Sequence, residues 1–146
     1  MFKIPIDILI VDDEPDFVEM LALRLEDAGH RVRTAQDGDA GLAALDEGAC
    51  DVVILDIRMP GKDGITVLKA IKNDHPLVEV ILLTGHGTVD TAVEGLKTGA
   101  FDYIQKPARF DELLEKLEDA RDHKAEHEKR VRRAEARALM RQSGDV

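Results

Sequence analysis

Short apolar runs alternate with longer stretches whose apolar residues recur every three or four positions, and the alternation repeats about five times. That rhythm is the signature of strand–helix repeats wound into a parallel sheet. The first run, 6–11, reads as a strand, and Pro15 stands where a helix can begin. Phe17, Val18, Leu21, Leu25 and Ala28 then fall on one helical face, with Gly29 as the stop. Residues 31–35 form a weaker, alternating strand that suits a sheet edge, followed by an Ala-rich helix over 39–46. Residues 51–55 are continuously apolar after Asp51 and suit a central strand. The turn residues of 58–64 predict a loop, 65–73 a helix, 80–83 a strand, 88–97 a helix and 101–104 the last strand. From 109 to about 140 the chain reads as one long helix rich in Ala, Leu, Glu, Lys and Arg. Phe110, Leu113, Leu114 and Leu117 can dock on the sheet, whereas beyond Glu118 the apolar content thins into a solvated extension with a poor coiled-coil seam.

Composition narrows the class. A chain of 146 residues can enclose one proper core. No run is long enough to cross a membrane, and the start lacks the apolar core of a secretion signal. The lone Cys50 excludes a disulfide framework within the chain and suits a reducing, cytoplasmic setting. The net charge of -10 sits wholly in residues 1–108, since from Arg109 onward acids and bases balance. An acidic body speaks against direct nucleic-acid binding and favours a cation.

The chemistry lies at the ends of the predicted strands. Asp12 and Asp13 follow the first, Asp56 the third and Thr84 the fourth, while Tyr103 and Lys106-Pro107 flank the end of the fifth. Strand ends on one edge of a parallel sheet converge on one crevice. Clustered carboxylates repel unless a cation neutralises them, and oxygen ligands in this number suit Mg²⁺, or Mn²⁺. Lys106 brings a mobile charge that can pair with Asp56 or a phosphoryl oxygen, and Thr84 brings a hydroxyl donor. The set makes a hard-cation site around a carboxylate able to accept a phosphoryl group.

In this order the motifs of residues 5–120 resemble the CheY-like receiver domain of bacterial two-component response regulators. The segments 56–64 and 83–87 are most similar to receivers of enhancer-binding transcription activators. The resemblance implies a flavodoxin-like, doubly wound five-stranded parallel sheet in the order 2-1-3-4-5, with five helices, the last extended. It implies that Asp56 is phosphorylated by a sensor histidine kinase or phosphotransfer protein. Mg²⁺ would be held by Asp12, Asp13, Asp56 and the main-chain carbonyl of Arg58. Thr84 and Lys106 would stabilise the phosphoryl group, Thr84 and Tyr103 would act as the switch, and a cis peptide bond would join Lys106 to Pro107. Kinase choice would rest on the first helix, at Asp16, Glu19, Met20 and Leu23. The output would be a protein or domain bound at the face of the fourth helix, fifth strand and fifth helix. That face, or the terminal helix, could also form a homodimer. Such a chain is a signalling phosphoacceptor that catalyses only its own phosphoryl transfer and slow dephosphorylation.

Other readings weigh less. A haloacid-dehalogenase-type phosphatase wants an Asp two residues after the nucleophile, where Arg58 stands. A flavodoxin-like cofactor binder needs a glycine- and hydroxyl-rich first loop, and Asp12-Asp13-Glu14 would repel its phosphate. Asp12 and Asp13 as plain helix-start carboxylates, and Tyr103 as a plain core aromatic, are the simpler alternatives. His123 and His127 lie one helical turn apart but lack a third ligand, so they read as solvated; His86 reads as a loop residue. The expected organisation is a receiver over 1–120 and a helical extension or linker over 121–146. Both a stand-alone receiver, the favoured form, and the front of a larger enhancer-binding activator fit it.

Overall fold

The computed structural model describes residues 4–58, 63–85 and 89–143. His86, Thr88 and the centre of the 58–64 loop, all marked above, lie outside these residues. Five strands, β1 (Asp7–Val11), β2 (Arg31–Ala35), β3 (Val52–Asp56), β4 (Glu79–Thr84) and β5 (Asp102–Gln105), form one parallel sheet in the order β2-β1-β3-β4-β5. Between and after them run α1 (Pro15–Asp27), α2 (Gly38–Glu47), α3 (Gly64–Asp74), α4 (Val89–Thr98) and α5 (Phe110–Ser143). This is the expected α/β arrangement, with the 31–35 strand at an edge and the apolar third strand at the centre.

Strand alternation explains why both faces are covered. Ile8, Ile10, Val52, Ile54, Ile81 and Leu83 point to one side, where they meet Leu21 and Leu25 of α1 and Leu113 and Leu117 of α5. Leu9, Val11, Val53, Leu55, Val80 and Leu82 point to the other, against Leu45 of α2 and Val67, Leu68 and Ile71 of α3. Strands buried on both sides must be apolar at consecutive positions, which is the pattern of the inner runs.

Helix ends are set locally. Gly29 (φ 95) closes α1: its N–H reaches the Glu26 carbonyl, and the His30 N–H the Leu25 carbonyl. That paired bonding satisfies two free carbonyls and needs a left-handed residue. The last buried residue of α5 is Ala120, yet the helix runs on to Ser143. Polar ties hold its next turn to the sheet: Arg121 donates to the Ile4 carbonyl at 2.8 Å, and Lys124 pairs with Asp51 at 3.2 Å.

Candidate functional site at the carboxyl edge of the sheet

Parallel register brings the chemistry to one edge. Val11 lies opposite Leu55, Asp56 opposite Leu83 and Thr84 opposite Gln105, so Asp12, Asp56, Thr84 and Lys106 emerge side by side. Carboxylate oxygens of Asp12, Asp13 and Asp56 all lie within 4.8 Å of one another. Asp12 (2% exposed) and Asp56 (5%) are buried, whereas Asp13 faces solvent.

Each buried group is held by a nearby backbone or amine. Asp12 accepts the Glu14 N–H on Oδ1 at 2.9 Å and the Lys106 amine on Oδ2 at 2.8 Å. Asp56 Oδ1 accepts the Arg58 N–H at 3.1 Å. Burial pushes the Asp56 carboxyl up to about 6; the Arg58 N–H works against that rise, and the Asp12 charge adds to it. Burial would lower the Lys106 amine, but Asp12, through its hydrogen bond and charge, and then Asp56 and Glu14 outweigh it and raise the amine above its usual value. Lys106 thus pairs with Asp12, whereas the sequence offered Asp56 or a phosphoryl oxygen as its partner. It also reaches Glu14 at 3.4 Å and lies 4.3 Å above the Phe17 ring.

Three carboxylates, two of them buried, against one amine leave excess negative charge at this edge, and all three donors are oxygen. That set fits a hard divalent cation, and Asp12, Asp13 and Asp56 are the side chains that would hold it.

Thr84 is buried at the end of β4, and its carbonyl accepts the Lys106 N–H at 2.6 Å. The Lys106–Pro107 bond is cis. Tyr103 is 40% exposed, so it points outward in this structure and is not a core aromatic. With Val93 and Leu96 it leaves apolar surface on the α4–β5 side.

Three residues here were not singled out from sequence. Glu14 and Phe17 contact Lys106; their only sequence signal is an acid following an acidic pair and an aromatic on the inner face of α1. Gly64 opens α3 directly behind Asp56. A Cβ there would lie 2.5 Å from Ile57 Cα and 2.8 Å from the Asp56 carbonyl oxygen. The position therefore demands glycine, which lets the helix start press against the backbone carrying Asp56.

A five-stranded parallel sheet in this order with this acidic edge is the arrangement expected of a receiver-type signalling domain, and comparison with known proteins agrees. Residues 8–118 match the response regulator receiver domain. The chain belongs to that family. It is 46% identical over 110 residues to the nitrogen assimilation regulatory protein NtrX of Azorhizobium caulinodans, covering 74% of this chain and 24% of that protein. It is 42% identical over 126 residues to the transcriptional regulatory protein ZraR of Salmonella typhimurium, covering 86% of this chain and 29% of ZraR. The chain thus spans 24–29% of these relatives. Among solved structures, NtrX from Brucella abortus in complex with ADP superposes with a TM-score of 0.83 at 39% identity, over 88% of this chain and 30% of that one. A CheY-like receiver domain from Methanospirillum hungatei gives 0.80 at 29% identity, over 85% of this chain and 99% of that one. Phosphorylation and Mg²⁺ are general features of this family. No helix among the described residues is long and apolar enough to cross a membrane.

Proposed function

We propose that Asp56 is the phosphoacceptor of this receiver and that a sensor histidine kinase or phosphotransfer protein supplies the phosphoryl group. The observation that carries this is the clustering of Asp12, Asp13 and Asp56 within 4.8 Å, with Lys106 beside them, in a chain of this family. Asp12, Asp13, Asp56 and the Arg58 carbonyl would hold Mg²⁺, which when bound offsets charge on the phosphoryl oxygens. An Asp56 carboxylate oxygen attacks phosphorus, the new P–O bond forms and the donor's P–N bond breaks, with the imidazole leaving. Lys106 releases Asp12 and turns to a phosphoryl oxygen. Thr84 donates its hydroxyl to another, and Tyr103 moves inward from its exposed position. Slow hydrolysis of the acyl phosphate resets the domain.

Two surfaces follow. Met20 and Leu23 are exposed on α1, and with Asp16, Glu19 and Arg24 they line a hollow of about 390 Å³ that suits kinase docking. The exposed Val93, Leu96 and Tyr103 mark the α4–β5–α5 face for an output partner or a second copy. The receiver unit ends near residue 120, and 121–146 serves as a helical extension or linker. Work in the cytoplasm, where such kinases act, completes the reading.

The test is intact-mass spectrometry after incubation with acetyl phosphate and Mg²⁺, run on the wild type and on Asp56→Asn. A gain of one phosphoryl mass in the wild type alone is expected. An equal adduct on both proteins, or no adduct on the wild type together with no beryllofluoride binding followed by fluorine-19 NMR, overturns the assignment.

A further inference from the structure

At the opposite edge of the sheet, β4 begins with a buried carboxylate. Glu79 is 4% exposed and sits about 16 Å along the strand from Thr84. Its Oε1 faces Lys72 Nζ at 3.7 Å and its Oε2 faces His123 Nδ1 at 3.4 Å. Both separations exceed a normal hydrogen bond, so the charge is buried with loose compensation. His127 lies one turn beyond His123 on α5, and Glu79, His123 and His127 line the same cavity of about 460 Å³. The His123 ring is braced by Phe101, with ring centroids 5.4 Å apart.

We propose that Glu79, His123 and His127 form a site for a divalent transition-metal ion of the Zn²⁺ class. Two imidazoles and a carboxylate are a known donor chemistry for such ions, with water in the fourth position. Bonds of about 2.0–2.1 Å to a tetrahedral ion put neighbouring ligand atoms roughly 3.3 Å apart. The 3.4 Å between His123 Nδ1 and Glu79 Oε2 is close to that edge, longer than a direct hydrogen bond and short enough for one ion to bridge. Among the described residues the acidic edge alone has three ligand atoms already within 4.8 Å, so the His127 imidazole turns about its side-chain bonds to complete this second set. Lys72 fits an outer role. It donates to the Pro76 and Val78 carbonyls at 3.1 and 2.9 Å, and from there steadies Oε1 while Oε2 faces the histidines. The ion would tie β4 to the part of α5 beyond its last buried residue, Ala120, and so fix the direction of the extension.

The experiment is isothermal titration of the whole chain with ZnCl₂ near neutral pH, with excess Mg²⁺ to occupy the acidic edge. The visible spectrum with Co²⁺ is recorded in parallel, because nitrogen-ligated tetrahedral cobalt absorbs strongly. One equivalent is expected to bind, with affinity falling about tenfold or more in His127→Ala and in Glu79→Gln. Thermal unfolding should shift upward with Zn²⁺ in the wild type alone. His127 packs no core, so circular dichroism of His127→Ala should match the wild type. Equal Zn²⁺ affinity in wild type and His127→Ala, or no stoichiometric binding to the wild type, overturns the proposal. Neither readout depends on phosphorylation.

Discussion

Replacing Asp56 by asparagine should stabilise the metal-free protein. The Asp56 carboxyl is raised from 3.8 to about 6, first of all by burial. A raised carboxyl means that the folded state holds its proton more tightly than the unfolded state does. The associated stability is present below 3.8 and is lost as pH rises through about 6, after which the penalty is constant. Taken at face value the rise corresponds to about 3 kcal/mol. Solvent screening at the mouth of the crevice reduces this to roughly 1–2 kcal/mol. The substituted amide keeps an oxygen to accept the Arg58 N–H and carries no charge, so it escapes the penalty. In a chain of this size such a gain raises the melting temperature by about 2–8 °C. The assay is thermal and urea unfolding followed by circular dichroism, in chelator, across the range from mildly acidic to slightly alkaline pH. The gap between variant and wild type should widen as pH rises toward 6 and then level off. Saturating Mg²⁺ should shrink it, because the ion favours the charged wild type. A variant no more stable than wild type at neutral pH in chelator, or a gap independent of pH, would refute the reasoning.

Other outcomes follow from the same geometry. Gly64→Ala should cost about 2–3 kcal/mol, since its Cβ meets the backbone of Asp56 and Ile57 at 2.5–2.9 Å, and denaturant midpoints will report it. Its phosphorylation rate should drop as well. Lys106→Met leaves the buried Asp12 carboxylate without its 2.8 Å partner and should lose roughly 2–3 kcal/mol in chelator, with Mg²⁺ restoring part of it. Urea titrations with and without Mg²⁺ will show whether it does. Cys50 is buried, and burial pushes its thiol up to about 12, so alkylation by iodoacetamide should be negligible in the native protein and rapid in urea. Labelling at equal rates in both states would contradict that picture.

Hydrophobic periodicity was enough to reach the fold class, because it is a local property that each strand and helix carries along its own length. Burial on both sides wrote continuous apolar runs at β3 and β4, and one-sided docking wrote the helical spacing of Phe17, Leu21 and Leu25. The gathering of Asp12, Asp56, Thr84 and Lys106 was equally legible, since the strands of a parallel sheet all end on one edge. Which of those groups pair was not legible until the elements were docked. Lys106 rests on Asp12 at 2.8 Å although Asp56 is also buried, a choice set by how β1, β3 and the chain after β5 dock, which no spacing encodes. The outward Tyr103, the packing of Gly64 behind Asp56, and the meeting of Glu79 with His123 join residues far apart in the chain or set them against backbone. Such contacts depend on how whole elements dock, and periodicity records only that they dock.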